Sequence, residues 1–444
     1  ADEDDVLRLV AVGELGLYGD VIPVHGVLAA VDEAQKIGCR AALVPPQTVA
    51  EARLSSIDQI VAVTSLAEAW EQVQAIAGGA AAGLASDAGT LSVAGSAGDA
   101  GEFSVAGALC AASNVSNASN ATGNQLIRGS VATLRAITVA AAGGHHLGLF
   151  GPPGTGKTMA AWHLTKLLPP LRIEQVIETT RVWSIAKALS PDGDGIVRQA
   201  PVRSPHHSAS VEGMVGGGRY LSPGEISLAH NGLLILDEVA EFSRSVLQAL
   251  REPLESGVIQ LARAHSNVQF PARGLVCITA NLCPCGGYGR PRAACSCLPS
   301  DIRRYWRKFG GAILDRIPLR VACFPGAQMD VQRLVDMRDR ISMAVAAQYE
   351  RGQRQLNGRL GLDELLECGS LDQQDVEAVQ RLSQSKDLSY RGTHHVLQVA
   401  RTMADLDQQA SIASRHISEA LSMRLTAQGG TPWALLDREQ ALAL

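Results

Sequence analysis

The 444-residue sequence lacks three features that would each assign it to a class of proteins. It has no run of 18 or more apolar residues, so no membrane-spanning helix is predicted. Its start, ADEDDVLRLV, lacks the basic residues and apolar core of a signal peptide. With a net charge of −5 it also lacks the overall basicity of many nucleic-acid-binding proteins. We therefore expect a soluble, cytoplasmic protein without a membrane partner, whose DNA binding would need a local basic patch or a ring of subunits.

Disulfide-rich secreted proteins are also excluded by composition. Nine cysteines in a chain of this length suit reduced thiols or a metal site better than a disulfide framework. The chain is 46% hydrophobic and 19% charged, as in ordinary globular proteins. Its length is enough for two or three domains with sizeable cores.

The first part of the chain divides into a folded piece and a linker. Residues 1–77 contain RLVAVGELGLYGDVIPV, GVLAAVDEAQKIG and RAALVPP, which predict strand, turn, strand, helix and strand in a small α/β piece. Residues 78–124 are rich in Ala, Gly, Ser and Asn and have few charges or aromatics. Such a segment cannot offset its ordering entropy by burial, so it predicts a flexible linker.

The rest of the chain alternates strand and helix patterns and then becomes helical. In residues 125–322, the apolar strands HHLGLF, GLLILDEV and GLVCITAN alternate with helices such as KTMAAWHLTKLL. This alternation predicts an α/β fold with a doubly wound parallel sheet, whose ligands lie at the carboxyl ends of the strands. Residues 323–444 carry Leu, Arg, Gln, Asp and Ala at helical spacing and predict a helical lid domain.

The segment GPPGTGKT matches the phosphate-binding pattern G-x-x-x-x-G-K-[ST] between a predicted strand and helix. Its backbone N–H groups and the helix dipole would face phosphate oxygens. Lys157 would reach the β- and γ-phosphates of ATP, and Thr158 would bind Mg²⁺. The predicted nucleotide-binding residues are Gly151, Pro152, Pro153, Gly154, Thr155, Gly156, Lys157 and Thr158.

Two further strands end in polar residues that would complete this site. In LLILDE, an acidic pair at the end of an apolar strand is costly unless it serves a cation. Asp237 would hold Mg²⁺ and Glu238 would polarise the attacking water, although LDE alone could be a strand meeting a turn. Asn281 ends CITAN and could orient that water, or it could cap a turn.

Two arginines are candidates for contacts with the γ-phosphate. Arg316 in ILDRIPL could act on the nucleotide of a neighbouring subunit. An arginine in that position can raise the rate of hydrolysis by about 10³–10⁵-fold. The alternative is a surface ion pair with Asp315. Arg391 lies at a predicted helix start in DLSYRGTHHVLQVARTMADL and could contact the γ-phosphate in cis, or it could be a solvated charge.

Four cysteines occur as two C-x-C pairs in CPCGGYGRPRAACSC. Cys283, Cys285, Cys295 and Cys297 could supply the four thiolates of a structural Zn²⁺ site, although C-x-C is tighter than the usual C-x₂-C knuckle. The alternative is four reduced thiols.

Basic and aromatic residues surround this cysteine loop. They suit a nucleic-acid strand, and they suit a subunit interface nearly as well. They are Arg290, Arg292, Arg303, Arg304, Arg307 and Lys308, with Tyr288, Tyr305 and Trp306.

Two glycine- and histidine-containing segments lie before the second strand. His206 and His207 have no acidic or thiol partner nearby in the sequence, which favours a loop role over a metal site. The glycines 216–218, followed by Pro223 and Gly224, suit a mobile loop or hairpin of the kind that projects into the pore of a ring.

These motifs together resemble one family. They are similar to the AAA+ ATPases of the ComM and YifB type, which are also called magnesium-chelatase-related proteins. The similarity lies in GPPGTGKT, RSPHHSAS, PGEISLAHNGLLILDE, EFSRSVLQALREPLESG, NLCPCGGYG and DLSYRGTHHVLQVARTMADL. The resemblance covers about residues 125–425 and implies the AAA+ P-loop fold with a C-terminal helical lid.

The resemblance implies a hexameric ATPase of the helix-two-insert branch that uses ATP and Mg²⁺. It also implies action on single-stranded or branched DNA, as a helicase in branch migration during recombination or natural transformation. By match, Asp237 and Glu238 are the Mg²⁺ and water residues, Asn281 is the first sensor, Arg316 is the trans finger and Arg391 is the second sensor.

Residues 1–77 resemble the second half of a Lon-protease-like domain, notably in VGELGLYGDVIPVHGVLAAVDEAQKIG. The segment that would hold the catalytic serine is missing, and Leu28 falls near the position of the lysine. A protease function is therefore not expected. The missing front half and the absent initial Met lead us to expect a truncated, non-catalytic domain.

Two other functions remain open at this point. A magnesium-chelatase-like ATPase subunit would share the AAA+ core but would need a large metal-binding partner. A nucleotide-switched scaffold would bind ATP with little turnover, whereas Glu238, Asn281 and Arg316 favour turnover.

Overall fold

The computed structural model describes residues 9–80, 125–190, 194–219, 221–263, 266–290, 295–367, 377, 381 and 388–424. The chain forms two compact units, Ala1–Asn120 with Arg172–Arg198, and Ala121–Leu171 with Gln199–Leu444. Residues 81–124 of the predicted linker and 425–444 of the predicted lid lie outside the described residues. The domain boundaries stay a prediction.

The described strands are β1 (Leu9–Ala11), β2 (Glu14–Leu15), β3 (Val21–Ile22), β4 (Ala41–Val44), β5 (Gln59–Ala62), β6 (Leu126–Ser130), β7 (Leu147–Phe150), β8 (Val202–Arg203), β9 (Gly216–Gly217), β10 (Ser222–Pro223), β11 (Leu233–Leu236), β12 (Val258–Arg263), β13 (Ser266–Pro271), β14 (Leu275–Ala280), β15 (Leu319–Ala322) and β16 (Met329–Arg333). The described α-helices are α1 (Val27–Lys36), α2 (Val49–Ala52), α3 (Leu66–Ala80), α4 (Val131–Gly143), α5 (Lys157–Thr165), α6 (Ile173–Ile185), α7 (Val211–Val215), α8 (Glu225–Leu228), α9 (Arg244–Ala249), α10 (Arg251–Ser256), α11 (Pro299–Leu314), α12 (Leu334–Glu350), α13 (Leu362–Glu367), α14 (Tyr390–Leu406) and α15 (Ser414–Ser422).

The first unit contains a parallel sheet in the order β1-β4-β5 and the hairpin β2–β3. Helix α1 buries Val27, Val31 and Ala34, spaced three or four residues apart, so that one apolar face covers the sheet. The predicted order of strand, turn, strand, helix and strand is confirmed. Leu28 is fully buried, and an aliphatic side chain there cannot act as the lysine of a protease.

Helix α6 belongs to this first unit, although the sequence analysis placed its residues in the range 125–322. Arg181 forms an ion pair with Asp32 of α1. The Ser184 hydroxyl accepts a hydrogen bond from the backbone N–H of Gly26, at 2.6 Å. Helix α3 continues through Ala80, so the first residues of the predicted linker are helical.

The second unit is built on a parallel five-stranded sheet in the order β15-β7-β14-β11-β8. Strands β7, β11 and β14 are buried along their whole length, as expected for strands covered on both faces. The predicted α/β fold is confirmed. Because β14 lies between β7 and β11, the carboxyl ends of these three strands meet at one edge of the sheet, where open α/β sheets bind ligands.

The C-terminal helices pack on the helix that precedes the phosphate loop. Helix α4 contacts both α12 and α14, and β6 pairs with β16 in an antiparallel ribbon. The apolar side chains of these helices share one core with β7 and β15. The strand before the glycine loop and the start of the helical region are therefore held together by a common core.

A buried acid fixes helix α14 within this helical region. Asp405 is nearly inaccessible and pairs with Arg351 at 2.6 Å and Arg401 at 2.8 Å. Asn357 is a third partner and donates a hydrogen bond to the same carboxylate, at 2.8 Å. A buried charge needs such partners, since an unpaired carboxylate is strongly disfavoured in a protein interior.

Two hairpins extend from the second unit. In β9–β10, Gly216 lies opposite Pro223, so the predicted glycine hairpin is present. A side chain at Gly216 would meet Ser222 O at 2.4 Å, and its φ of +100° is a conformation that L-residues rarely adopt. The longer hairpin β12–β13 lies just before β14. Residues 220 and 264–265 lie outside the described residues.

Within the part of the chain that the structure describes, no helix has the length and apolar character needed to cross a bilayer.

Candidate functional site: a phosphate loop, an acidic strand end and two arginines

The phosphate loop connects β7 to α5 in a conformation that depends on its glycines. Gly154 and Gly156 have φ values of +86° and +82°, in the left-handed region. A Cβ placed on either residue would meet no atom within 4 Å, so this face of the loop is open to a ligand. At Gly151, by contrast, a Cβ would lie 2.0 Å from the Cys323 carbonyl oxygen. The loop therefore packs tightly at its start and is open where phosphates would bind.

Lys157 is held at the loop by three oxygens. Its ammonium donates to the carbonyls of Gly151 at 2.7 Å and Pro152 at 2.9 Å. A third hydrogen bond, at 3.2 Å, reaches Asn281 Oδ1 at the end of β14. Burial lowers the pKa of Lys157, and the nearby Asp237 acts in the opposite direction. The structure thus brings two predicted site residues, Lys157 and Asn281, into direct contact.

Thr158 and Asp237 meet across the ends of α5 and β11. The Thr158 hydroxyl lies 3.1 Å from both carboxylate oxygens of Asp237. A hydroxyl and a carboxylate at this separation suit Mg²⁺, which takes oxygen ligands and is usually bound through one or two carboxylates with substrate phosphates. The donor set therefore fits the predicted Mg²⁺ site.

Thr279 is a site residue that the sequence analysis missed. Its buried hydroxyl hydrogen-bonds to Asp237 Oδ1 and accepts the backbone N–H of Glu238 at 3.0 Å. Thr279 therefore fixes both acidic residues at the end of β11. Its place before Ala280 and Asn281 in CITAN is the only sequence signal, and it becomes informative once β14 is known to pair with β11.

Glu238 has an unusual backbone conformation and an exposed side chain. Its φ of 48° and ψ of 51° lie in the left-handed region, which costs a non-glycine residue about 1–2 kcal/mol. The chain turns sharply here from β11, and this turn presents the Glu238 carboxylate at the same sheet edge as Asp237. Strain of this kind is concentrated at functional sites.

Arg316 and Arg391 meet on one carboxylate. Arg316 follows α11, Arg391 lies in the first turn of α14, and both form ion pairs with Glu255 at the end of α10. Hydrogen bonding from Arg316 lowers the pKa of Glu255 below its ordinary value. Glu255 could not be predicted as a site residue, because nothing in LREPLESG separates it from an ordinary surface acid.

The four predicted cysteines are gathered into one cluster. The sulfur atoms of Cys283, Cys285, Cys295 and Cys297 all lie within 4.8 Å of one another. The Cys283 sulfur is 3.5 Å from that of Cys285 and 3.6 Å from that of Cys295. Among the described residues, this is the one group of three or more metal-binding side chains close enough to hold an ion.

Of the three aromatic residues beside this cluster, Trp306 lies in the core, and Tyr288 and Tyr305 are partly buried. Trp306 is buried, donates to the Leu282 carbonyl at 3.0 Å and contacts Phe150. Tyr305 packs edge-on against Trp306. The predicted contact of the Trp306 ring with a nucleic-acid strand or a subunit interface is wrong, because the apolar face of α11 is part of the core. The exposed residues are basic, namely Arg303, Arg304 and Arg307, with Arg290 nearby in the loop. Arg292 lies outside the described residues.

His206 and His207 lie in an exposed loop with their rings 4.0 Å apart. His206 Nδ1 hydrogen-bonds to the Ser208 hydroxyl at 2.8 Å. The contact is local and agrees with the predicted loop role.

Comparison with known proteins places these features in one family. The family model described as magnesium chelatase, subunit ChlI matches residues 124–331, and the model of the ChlI C-terminal region matches residues 333–424. The sheet, the phosphate loop and Glu255 fall within the first match, and Arg391 falls within the second.

Three relatives show how much of the chain is shared. YifB of Escherichia coli is 40% identical over 297 residues, which cover 65% of this chain and 58% of YifB. Competence protein ComM of Haemophilus influenzae is 36% identical over 430 residues, which cover 95% of this chain and 79% of ComM. An uncharacterized protein of Mycobacterium tuberculosis is 35% identical over 432 residues, which cover 93% of this chain and 78% of that protein.

The chain thus spans little more than half the length of YifB and most of the length of ComM. The family is one of AAA+ ATPases, which implies ATP and Mg²⁺ as cofactors. The chain belongs to the magnesium chelatase ChlI-type family of AAA+ ATPases, in the group that contains ComM and YifB.

Proposed function

We propose that this chain hydrolyses ATP and uses the energy to move DNA. The observation that carries the ATPase part is the contact network at the sheet edge, in which Lys157 bonds Asn281 and Thr158 bonds Asp237. The open glycine face would receive the phosphates, with Lys157 turning from its carbonyl partners to the β- and γ-oxygens. Mg²⁺, when bound at Thr158 and Asp237, neutralises charge that develops on the phosphates.

Glu238 is proposed to accept a proton from the attacking water. It lies on an exposed turn beside Asp237, and the Thr279 hydroxyl holds its backbone N–H. Asn281 is proposed to orient the same water while its amide oxygen stays close to Lys157. General base catalysis of this kind contributes about 10²–10⁴ in rate.

Arg316 and Arg391 are proposed to act in a ring of six copies. Arg316 would contact the γ-phosphate bound by a neighbouring copy. The ion pairs with Glu255 support a common location for the two arginines. In that location Arg391 would lie at the same subunit interface as Arg316. A contact of Arg391 with the nucleotide of a neighbouring copy is therefore proposed in place of a contact with the nucleotide of its own chain.

DNA is proposed as the substrate on two grounds. ComM, which shares 36% identity over most of this chain, is named a competence protein. Helix α11 also exposes Arg303 and Arg307 one turn apart, a local basic patch in an otherwise acidic chain. The glycine hairpin β9–β10 would line the pore of the ring. The proposed activity is branch migration of DNA in recombination or natural transformation, in the cytoplasm.

A second candidate function is supported by the family models, because both are named for a magnesium chelatase subunit. In that function the same ATPase site would drive metal insertion carried out by a partner protein.

We also propose that the four-cysteine cluster binds a structural Zn²⁺. Four sulfurs within 4.8 Å satisfy the ligand number and type of a closed structural site. Metal analysis of the purified chain should find about one zinc per chain.

The deciding experiment is ATP hydrolysis with no DNA, single-stranded DNA, duplex and four-way junction, at one stated salt concentration because phosphate contacts are salt-dependent. Stimulation by single-stranded or junction DNA is expected. ATP hydrolysis that none of the DNA substrates stimulates would favour the chelatase-like function. Absence of any ATP hydrolysis would contradict both candidate functions.

A further inference from the structure

The sulfur geometry of the four-cysteine cluster is that of a metal site. A tetrahedral ion with Zn–S bonds of about 2.3 Å separates its sulfurs by about 3.8 Å. The measured separations are 3.5 Å for Cys283–Cys285 and 3.6 Å for both Cys285–Cys295 and Cys283–Cys295. A disulfide would need about 2.05 Å. The cluster is therefore arranged around a common centre and not as two bonded pairs.

The backbone of this loop is shaped to present sulfurs. The N–H of Tyr288 donates to Cys283 Sγ at 3.3 Å, and the N–H of Gly287 donates to Cys285 Sγ at 3.4 Å. The turn uses Gly286 with φ +69° and Gly289 with φ +80°. N–H groups directed at sulfur stabilise thiolate, the form that binds metal.

The same loop packs directly on the phosphate loop. A Cβ added to Gly286 would lie 3.0 Å from Cγ of Pro153, so the Gly286 backbone packs closely against the Pro153 ring. The Arg290 guanidinium donates to the Pro153 carbonyl at 3.4 Å. Pro153 lies next to Gly154, the first residue of the open face of the phosphate loop.

The residues just before the first cysteine are tied to the same site. Asn281 bonds Lys157, and Leu282 accepts the Trp306 indole N–H. The Trp306 ring lies 5.4 Å from that of Phe150, the last residue of β7. The segment from Asn281 to Arg290 therefore contacts both the beginning of the phosphate loop and its lysine.

From these contacts we propose that the metal bound by the four cysteines braces the phosphate loop, so that metal occupancy sets the affinity for ATP. The ion would tie the segment containing Cys283 and Cys285 to the start of α11 through Cys295 and Cys297. That link fixes Gly286 and Arg290 against Pro153, and Asn281 against Lys157. The inference rests on the proposed ATP and Zn²⁺ sites and adds a dependence of the first on the second.

The test measures zinc content and binding of a fluorescent ATP analogue with Mg²⁺, on the same preparations. The Cys295→Ser/Cys297→Ser double variant removes two ligands outside the segment from Asn281 to Arg290, and Cys39→Ser is the matched control outside the cluster. We expect the double variant to lose zinc and to bind the analogue up to about 100-fold more weakly, by analogy with the loss of about 100-fold in rate that a misplacement of about 1 Å can cause at a reactive site. The control should match the unmodified chain.

A second variant avoids any dependence on folding of the double variant. Arg290→Ala keeps all four ligands but removes both the hydrogen bond to Pro153 and a positive charge near Lys157, so zinc should remain while the analogue binds severalfold more weakly. Reversible removal and return of zinc on the unmodified chain should lower and restore analogue binding. If the affinity for the analogue is unchanged after zinc is lost, the proposed dependence of ATP binding on zinc is wrong, although neither the proposed ATP site nor the proposed zinc site is contradicted. Absence of zinc would overturn the brace together with the metal site, and absence of analogue binding by the unmodified chain would overturn the proposed function itself.

Discussion

In the phosphate-loop region the candidate residues contact one another, whereas in the arginine region they contact a third residue, Glu255. Lys157 reaches Asn281, and Thr158 reaches Asp237, all within one chain. Arg316 and Arg391 come from elements far apart in sequence and meet at the end of α10. We propose that the first region holds a nucleotide with its own groups, whereas the second presents two cations held by an acid.

The difference follows from how the two regions are positioned. Adjacent parallel strands place their carboxyl ends together, so hydrogen-bonded register fixes the phosphate-loop residues. The arginines depend on helix ends, and α14 is located by its packing on α4 and by the buried Asp405 network. We expect the first region to act in cis and the second to serve a neighbouring copy.

The strongest test of this contrast is a mixing experiment. Arg316→Ala should bind ATP normally yet lose about 10³–10⁵ in hydrolysis, since a trans arginine stabilises the transition state. Lys157→Ala should bind no ATP. Mixtures of the two should recover part of the activity, measured as phosphate release, because the first variant's intact nucleotide site can receive the second variant's arginine. Recovery would be absent if Arg316 acted within its own chain.

Glu238→Gln should separate binding from hydrolysis within the phosphate-loop region. The amide keeps the size of the side chain but cannot accept a proton, so turnover should fall about 10²–10⁴ while ATP stays bound. Glu241→Gln, three residues on, is the matched control and should keep its activity. Similar losses in both variants would remove the special role given to Glu238.

Thr279→Val should show whether the missed hydroxyl positions the acidic pair. The change conserves shape but removes the hydrogen bonds to Asp237 and to the Glu238 N–H. Loss of a group that orients a metal ligand typically lowers metal affinity or activity by about 10–100-fold. We therefore expect ATP hydrolysis to fall by about that factor and to need a higher Mg²⁺ concentration. Thr165→Val, whose hydroxyl bonds only its own helix at Trp162, serves as control. An unchanged Mg²⁺ dependence would count against this role.

Glu255→Gln should change the rate of ATP hydrolysis least, and it should raise that rate where the other substitutions lower it. Without the charged partner, both arginines become easier to direct to another chain. Exposed ion pairs are worth up to about 1 kcal/mol, so hydrolysis should rise by about two- to fivefold. Glu252→Gln on the same helix is the control. A fall in activity would show that Glu255 positions the arginines and does not restrain them.

Some residues of the candidate site could be predicted from the sequence, and others could not. Lys157, Asp237 and Asn281 could be placed together from motifs at the ends of apolar strands, because the α/β pattern already implies that such ends converge. Thr279 and Glu255 could not be found, because their roles depend on which strand lies beside β11 and which helix ends meet. Trp306 was misinterpreted, because a basic-aromatic pattern does not reveal which face of the helix is buried.

The sequence by itself determined the phosphate loop, the alternation of strands and helices, the four cysteines and the family, because each is written in local residue type and spacing. Only the tertiary structure decided that Asn281 contacts Lys157, that Arg316 and Arg391 share Glu255, and that the cysteine loop packs on Pro153. These contacts join residues between 61 and 137 positions apart, and strand order and helix packing bring them together.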